Sequence, residues 1–433
     1  MPPSSRVLVL GLNYPPERTG ISPYTGSMAR GLAGRGFVTR VMTTHPHYPD
    51  WKVQAGYGQW SRSEQIDGVD VTRLNHYVPS KPKGVLRALS ELSFGARIAT
   101  QDWDSPDAIV VVSPALISSL LGAVRAKLTH RKTPLIVWVQ DLYTLGMVET
   151  GQASGFSVWA MKALEGWLLR RADRVVVIHD RFARRVADDF GVLPERIEVV
   201  RNWTHLGPTP DIDVAEARAG FGWAPDETVV LHAGNMGVKQ GLDNVIDAAR
   251  LAAERGEGVR FVLLGAGSEL TRLKAAGAGI PTLQFMFPLN DGEFAAALGS
   301  ADCLLVNELP GVSEMAVPSK LTSYFAAGKP VVAATDITGI TAEEIRNADA
   351  GVVVSAGDPA ALLEAVGSLA GNPDDSKRLG ANGRHYRSTV LNEESAINSF
   401  TEMLTRLIAP DDRVATSVPR TPLPRAPKNG ARP

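Results

Sequence analysis

One lysine in the sequence stands where a helix would begin and where a phosphate would bind. The segment Pro318-Ser319-Lys320 opens an amphipathic stretch that ends at Gly328. Proline and serine favour a helix start, and glycine favours a helix end. Unpaired N–H groups at a helix start attract anions, whereas a lysine there opposes the helix dipole. A bound phosphate would explain Lys320; the alternative is a solvated surface lysine.

Two glycine-rich turns in the same half of the chain also lead from an apolar run into a helical pattern. The first contains Asn235, Gly237 and Lys239, and the second contains Gly265 and Gly267. One glycine pair is a weak signal, because glycine turns are common at helix starts. Together with Lys320, the two turns favour one shared anion site.

An apolar loop follows another strand pattern in this half. Phe287 lies within it, flanked by Met286 and Pro288. An exposed aromatic ring at a strand end could pack on a nucleotide base, and core packing explains the same residues equally well.

In the first half, a loop at Gly20 and a polar aromatic cluster follow strand patterns. The cluster contains His45, His47, Tyr48 and Trp51. Two histidines without an obvious third ligand make a metal site the weaker interpretation. Sugar stacking on the aromatic rings, with hydrogen bonds from the histidines, fits the cluster better.

Asp141 also lies at the end of a predicted strand, in Trp138-Val139-Gln140-Asp141. Its carboxylate could orient a substrate hydroxyl or cap the segment that follows. The first half contains neither a Gly-x-Gly-x-x-Gly fingerprint nor a Walker Gly-Lys-Ser motif, which disfavours nicotinamide dehydrogenases and P-loop nucleotidases.

The elements that must position these residues follow an α/β pattern. Each half of the chain has six short, Val- and Ile-rich apolar runs that alternate with amphipathic stretches, as in parallel sheets covered by helices on both faces. A segment rich in Pro, Gly, Asp and Thr separates the two series. The predicted organisation is a first domain over 1–200, a linker over 201–226, a second domain over 227–390, a helix over 391–409 that packs back toward the first domain, and a disordered tail over 410–433.

Composition excludes several classes of protein. The 433 residues carry a net charge of −1, so no overall attraction to nucleic acid is indicated. The single cysteine, Cys303, lies in an apolar run and reads as core packing rather than as a reactive thiol. We see no signal peptide and no apolar window of the ~20 residues needed to span a membrane, so a cytoplasmic location is expected.

Several motifs together resemble the family 4 glycosyltransferases, which retain the anomeric configuration and have the GT-B fold. The resemblance extends over residues 6–408 and is most specific to the colanic-acid-type exopolysaccharide glycosyltransferases of bacteria. The matching segments are Asn13-Tyr14-Pro15-Pro16-Glu17, Tyr48-Pro49-Asp50-Trp51, Trp138-Val139-Gln140-Asp141-Leu142, Gly234-Asn235-Met236-Gly237 and Pro318-Ser319-Lys320-Leu321-Thr322.

The resemblance implies two Rossmann-like domains facing each other across a cleft. It also implies transfer of a sugar from a nucleoside diphosphate sugar to a carbohydrate acceptor, carried on a lipid in many polysaccharide pathways. Lys320, Ser319, Leu321 and the 235–239 loop would hold the donor diphosphate, and the Gly20 loop would face it from the first domain. No metal or other cofactor would be needed.

The sequence departs from the family pattern at several positions. Two glutamates eight positions apart are usual, but the chain has Met315 and Ser323 there, with Glu314 displaced by one. Glu314 is therefore a candidate for a shifted version of a family contact, as a catalytic residue beside Lys320 and Asp141. The usual Arg and Lys of the glycine loop correspond to Asn235 and Gln240, which makes the displaced Lys239 a second candidate of this kind.

Two other functions remain open at this point. A sugar-nucleotide epimerase of the same fold would also bind a nucleotide sugar, and a non-catalytic binding protein would explain the missing glutamates. The stretch from Lys81 to Leu89 leads into an amphipathic helix, which could contact the inner membrane face or dock on its own sheet. Neither the donor base (guanine or uracil) nor the acceptor follows from the sequence.

Overall fold

The computed structural model describes residues 5–17, 20–82, 84–145, 155–203, 212–312 and 320–409. The predicted tail over 410–433 lies outside these ranges. Fourteen strands form two sheets in the described ranges: β1 (Arg6–Leu10), β2 (Val38–Thr44), β3 (Ser61–Ile66), β4 (Val69–Leu74), β5 (Ala108–Ser113), β6 (Leu135–Val139), β7 (Arg174–Val177), β8 (Ile197–Val199), β9 (Thr228–Ala233), β10 (Val259–Leu264), β11 (Leu283–Met286), β12 (Cys303–Asn307), β13 (Val331–Thr335) and β14 (Gly351–Ser355).

The α-helices cover and connect these strands. In chain order they are α1 (Ser22–Gly34), α2 (Gly84–Thr100), α3 (Leu116–Thr129), α4 (Phe156–Arg171), α5 (Asp180–Phe190), α6 (Val214–Phe221), α7 (Asp243–Arg255), α8 (Leu270–Ala276), α9 (Asp291–Ser300), α10 (Lys320–Ala327), α11 (Ile340–Ala348), α12 (Pro359–Gly371), α13 (Pro373–Thr389) and α14 (Glu393–Ile408).

Both sheets are doubly wound, as predicted. The first has the order β3-β4-β2-β1-β5-β6-β7-β8 and the second the order β11-β10-β9-β12-β13-β14. All pairings are parallel except that of β3 with β4. Strands such as β5, β6, β12 and β13 are buried at every residue, because helices cover both faces of each sheet.

The sequence prediction missed two strands of the first sheet. The edge strand β3 has the polar sequence SRSEQI and is half exposed, so it carries no apolar run. Strand β8 has only three residues. Both lie at the edges of the sheet, where one side of the strand stays unpaired and the demand for apolar residues is weakest.

The segment read as a linker, 201–226, contains structure of its own. Helix α6 lies within it, capped by the side chain of Asp213 on the N–H of Glu216. Trp223 is 2% exposed and belongs to the core of the second sheet. The core of the second sheet therefore includes a residue from the Pro- and Asp-rich segment that the sequence pattern predicts as a linker.

Helix α14 lies on the first sheet although it follows the second sheet in the chain. Phe400 packs edge-on against Trp138, with ring centroids 4.9 Å apart. A Cβ on Gly31 of α1 would stand 2.6 Å from Ile397, so the absence of a side chain at Gly31 permits the close approach of the two helices. Helix α14 is thereby packed against α1 of the first domain.

A buried carboxylate joins the two halves at a second place. Glu344 of α11 is 1% exposed and accepts hydrogen bonds from Arg201 at 2.5 Å and from Tyr386 at 3.1 Å. Nε2 of His179, which follows β7, lies 3.3 Å from the same carboxylate. Burial alone would raise the pKa of Glu344, but His179 and Arg201 outweigh burial and lower it.

Within the described ranges, no helix is long and apolar enough to cross a bilayer.

The joint at Glu344 yields a stability prediction. Replacing Glu344 with alanine leaves Arg201 and His179 without their shared acceptor, and removing one partner of a buried ion pair costs about 3 kcal/mol or more. Glu343→Ala is the matched control, because Glu343 is the adjacent residue and its ion pairs with Arg181 and Arg184 are partly exposed. The control should cost less than about 1 kcal/mol. The free energy of unfolding in urea is measured for both variants. Equal losses would contradict the role assigned to Glu344.

Candidate functional site

The strand order of each sheet reverses once. The reversal falls between β1 and β5 in the first sheet and between β9 and β12 in the second. Loops leave in opposite directions at such a point, which opens a crevice at the carboxyl ends of the strands. Most of the candidate residues follow strands on either side of these two reversals.

Lys320 lies in the crevice of the second sheet, against the end of β9. Its Nζ is 3.3 Å from Nε2 of His232, and a Cβ on Gly234 would lie 3.6 Å from the same Nζ. Burial lowers the pKa of Lys320 to about 7, although the charge of Glu308 opposes this shift. Within the described ranges no carboxylate forms an ion pair with Lys320, so the crevice holds an ammonium group that lacks a direct counter-charge.

His232 supplies a neutral contact to that ammonium group. It is fully buried, and burial together with the charge of Lys320 holds the pKa of its imidazole well below the usual value. A neutral ring can accept a hydrogen bond from Lys320 but cannot balance its charge. An anion that entered the crevice would therefore be attracted strongly.

Glu308 is a residue that the sequence reasoning missed. It follows β12 directly, on the other side of the strand reversal, and its side-chain oxygens accept hydrogen bonds from Thr335 and Thr341. Burial raises the pKa of Glu308, whereas the two threonines and Lys320 lower it. The available signal was its position: Glu308 follows an apolar run after one intervening amide residue, Asn307, as Asp141 follows one after Gln140.

The two glycine turns pack backbone to backbone. A Cβ on Gly265 would lie 2.0 Å from the carbonyl oxygen of Gly234, and one on Gly267 would lie 2.4 Å from the carbonyl oxygen of Met236. The N–H of Met236 donates to the carbonyl of Ala266 at 2.8 Å. A side chain cannot be accommodated at Gly265 or Gly267, because the loops after β9 and β10 are in backbone contact near Lys320.

The other predicted donor residues occupy different environments. Asn235 is exposed, the N–H of Gly237 donates to the side chain of Gln240 at 3.0 Å, and the carbonyl of Lys239 accepts from Leu309. The ring of Phe287 is 66% exposed, with the ammonium group of Lys274 4.2 Å from its centroid. The exposed Phe287 ring is available to a ligand.

The side chain of Leu321 is fully buried in the core of the second sheet, so only its backbone could reach a ligand. Glu314 and Ser319 lie outside the described residues, as does Pro318. The contacts predicted for those three positions stay predictions.

In the first domain a buried glutamate organises the aromatic cluster. Glu17 accepts the backbone N–H groups of His47 at 2.8 Å and Tyr48 at 2.9 Å, and the side-chain amide of Asn13 at 2.8 Å. Glu17 is 3% exposed, so its carboxylate is directed into the protein. It holds the loop after β1 and the loop after β2 together.

Three of the four predicted acceptor residues line one cavity of about 190 Å³, together with Gly20. They are His47, Tyr48 and Trp51. The fourth, His45, does not line it; its Nε2 lies 2.7 Å from the carbonyl of Gln59. The cavity opens at the reversal point of the first sheet, where the loops after β1, β2 and β5 meet.

Asp141 follows β6 and is partly buried. The segment after it is capped by another carboxylate: Glu165 of α4 accepts from the N–H groups of Tyr143 at 2.7 Å and Thr144 at 3.1 Å. Capping by Asp141 is therefore not needed for these N–H groups.

Across the described ranges, no three His, Cys, Asp or Glu side chains are grouped as metal ligands would be. Cys303 is buried, and burial raises the pKa of its thiol, which makes it a poor nucleophile.

Comparison with known proteins decides the family. Residues 19–203 match a glycosyl transferase 4-like domain, and residues 213–386 match the glycosyl transferases group 1 domain. A putative colanic acid biosynthesis glycosyl transferase WcaI of Escherichia coli is 34% identical over 339 residues, which are 75% of this chain and 81% of that protein. The chain belongs to the family 4 glycosyltransferases.

Other relatives and solved structures agree on the family and the fold. A D-inositol 3-phosphate glycosyltransferase 1 of Catenulispora acidiphila is 29% identical to this glycosyltransferase, over 80% of this chain and 81% of that one. The Anabaena Alr3699/HepE complex with UDP-glucose superposes with a TM-score of 0.67 at 15% identity, covering 93% and 99% of the two chains. WaaG, involved in lipopolysaccharide biosynthesis, gives 0.65 at 17% identity, covering 92% and 99%. The GT-B fold is confirmed.

The contact between the glycine turns predicts an outcome for Gly265→Ala. Gly265 has φ +139°, and the added Cβ would clash with the backbone of Gly234, so the two loops must separate. We expect a loss of more than about 2 kcal/mol of stability. Gly279→Ala is the control, because Gly279 also has positive φ (+80°) but nothing lies within 4 Å of its added Cβ. Thermal unfolding measures both; similar shifts in Tm would mean that backbone strain alone matters.

Proposed function

We propose that this glycosyltransferase moves a sugar from a nucleoside diphosphate sugar to a carbohydrate acceptor, with retention of the anomeric configuration. The observation that carries the proposal is Lys320, a partly buried ammonium group without a direct counter-charge at the strand reversal of the second sheet. The exopolysaccharide setting is supported by the likeness to the colanic acid protein. Structures of Alr3699/HepE with UDP and UDP-glucose support a donor of this type.

The residues of the crevice account for the electrostatics of the transfer. The bond between the anomeric carbon and the donor phosphate oxygen breaks, and negative charge develops on the departing diphosphate. Lys320 would stabilise that charge, and the glycine turns after β9 and β10 would admit the phosphates close to the backbone. The acceptor hydroxyl forms the new bond to the anomeric carbon, and its proton passes to an oxygen of the departing diphosphate. Under this proposal no metal ion is required as cofactor.

Removal of the Lys320 charge tests the proposal. In Lys320→Met, turnover of the nucleotide sugar should fall about 10²- to 10³-fold, as expected when one preorganised donor to a developing charge is lost. Lys329→Met is the matched control, because Lys329 is another partly buried lysine just beyond the opposite end of α10. Turnover is measured as the release of nucleoside diphosphate from UDP- and GDP-sugars. The products are also analysed for epimers formed without an acceptor, which would indicate a sugar-nucleotide epimerase. Near-normal turnover of Lys320→Met would reject the phosphate assignment.

The pH dependence of nucleotide binding provides a second readout of the same residue. The pKa of Lys320 is about 7 in the empty protein and must rise when a diphosphate binds, because the anion favours the charged form. Affinity for UDP or GDP should therefore fall as pH rises above 7, by at most tenfold per pH unit, until the pKa of the complex is reached. Calorimetric titrations between pH 7 and 9 should show this decline in the natural protein and in Lys329→Met, and lack it in Lys320→Met.

We also propose that the acceptor is lipid-linked and that α2 contacts the inner membrane face. Four apolar side chains of this helix are exposed: Val85 by 75%, Leu86 by 40%, Leu89 by 44% and Leu92 by 46%. Lys81 lies just before the helix and is exposed, which would favour an anionic surface. Lys83 lies outside the described residues. Phe94, in the same helix, is buried in the core of the first sheet and takes no part in this surface.

Vesicle sedimentation tests this surface. With phosphatidylglycerol-containing vesicles, the double variant Val85→Ser/Leu89→Ser should sediment at least threefold less than the natural protein, because burial of each large side chain stabilises by roughly 1.5–3 kcal/mol. The control Leu193→Ser/Val390→Ser removes two exposed apolar side chains elsewhere, 52% and 40% exposed. If neither the natural protein nor the control sediments, peripheral attachment is wrong.

A further inference from the structure

The cavity of the first domain contains polar atoms that the protein leaves without partners. The two atoms are Nε2 of His47 and Oγ of Ser90, and each of these residues is 1% exposed. Neither atom has a hydrogen-bond partner within the described ranges. Both residues line the 190 Å³ cavity. Buried polar atoms without partners cost about 1–3 kcal/mol each, so two of them around one cavity indicate groups kept for a ligand.

The contacts of His47 define which kind of group its free nitrogen can bind. Its Nδ1 is 3.0 Å from the carbonyl oxygen of His45, and a carbonyl only accepts hydrogen bonds. In the neutral ring the proton is therefore on Nδ1, and Nε2 is left as an acceptor. A ligand hydroxyl can donate to it.

Helix α2 contributes the opposite wall of the cavity. Glu91 is 2% exposed; its Oε2 accepts from the N–H of Ile117 at 3.0 Å, and its Oε1 has only a long contact of 3.4 Å with Nε of Arg87. Oε1 thus retains capacity for a further donor. The charges of Arg87 and Glu91 cancel, so this wall offers hydrogen bonds without a net charge.

Apolar surfaces complete the enclosure. Leu12, Ile21 and Pro114 line the cavity beside the rings of Tyr48 and Trp51. A volume of 190 Å³ corresponds to about six water molecules at ~30 Å³ each. Such a space fits one small ring with hydroxyl groups at its edge and C–H groups on its faces.

We propose that this cavity binds an uncharged sugar ring of the acceptor, with Ser90 and Glu91 of α2 and His47 as the residues that select its hydroxyl pattern. The proposal rests on the proposed function, because it takes the first domain as the acceptor side. Ser90 offers both a donor and an acceptor, Glu91 and His47 offer acceptors, and Arg87 offers donors. Adjacent hydroxyls of a sugar match this set, whereas the oxygens of a carboxylate or phosphate only accept hydrogen bonds and would meet further acceptors at Glu91 and His47.

Ligand-observed saturation-transfer NMR without nucleotide tests the cavity alone. The probes are the methyl glycosides of glucose, galactose and mannose, and methyl glucuronide as the charged counterpart. The natural protein should transfer saturation to at least one neutral glycoside, with methyl glucuronide at least threefold weaker. Ser90→Leu, which fills the cavity, should abolish the transfer, and Ser90→Ala should weaken it at least threefold.

Ser93→Ala is the matched control. Ser93 lies on the same helix but outside the cavity, and its hydroxyl is satisfied within the protein by the N–H of Tyr77 and the carbonyl of Ser90. Circular dichroism establishes that each variant folds, and Ser90→Ala decides the outcome if Ser90→Leu does not. Absent transfer, unchanged transfer in both Ser90 variants, or stronger binding of glucuronide would each overturn the proposal.

Failure of this test is distinguishable from failure of the proposed function. The glycoside experiment contains no nucleotide and does not involve Lys320. A protein that binds glycosides but shows no effect of Lys320→Met would retain the sugar cavity and lose the donor assignment. The opposite pair of results would retain the donor site and remove the cavity.

Discussion

Desolvation of a single ammonium group organises the second domain. Lys320 contacts a neutral imidazole, and the carboxylate of Glu308 influences its charge without pairing with it. Removing a cation from water is costly unless an opposite charge compensates it. Glu308 is itself held by Thr335 and Thr341, so it stays in place rather than swinging over to neutralise the lysine. The result is a crevice whose missing charge a diphosphate would supply.

The two sheets reach similar crevices by the same topological rule but equip them differently. In the second sheet the reversal point is lined by glycine turns that meet backbone to backbone, which leaves room for phosphates near N–H groups. In the first sheet the reversal point is lined by aromatic rings, the hydroxyl of Ser90 and the ion pair of Arg87 with Glu91. One crevice is therefore suited to charge and the other to hydroxyl groups, which matches the proposed transfer from a charged donor to a neutral acceptor.

Contacts between the halves have two separate components. Helix α14 packs on the first sheet through apolar contacts around Phe400, although it follows the second sheet in the chain. Glu344 adds a buried charged joint with Arg201 and His179. Helix α11, which carries Glu344, also carries Thr341, one of the two donors to Glu308. The joint between the halves and the surroundings of Lys320 thus share one helix.

The sequence by itself determined the fold class and the position of Lys320 at a helix start, because apolar periodicity and local glycine and proline preferences act over a few residues. The family followed from the resemblance of several motifs taken together. It missed β3 and the helix in the segment 201–226, where polar composition hides ordered structure. It also could not place Glu308 near Lys320, exclude His45 from the cavity or find Ser90 and Glu91. Those relations depend on which strands become neighbours and which loops diverge between them. Only the tertiary structure decides this, since the packing of both sheet faces sets the strand order.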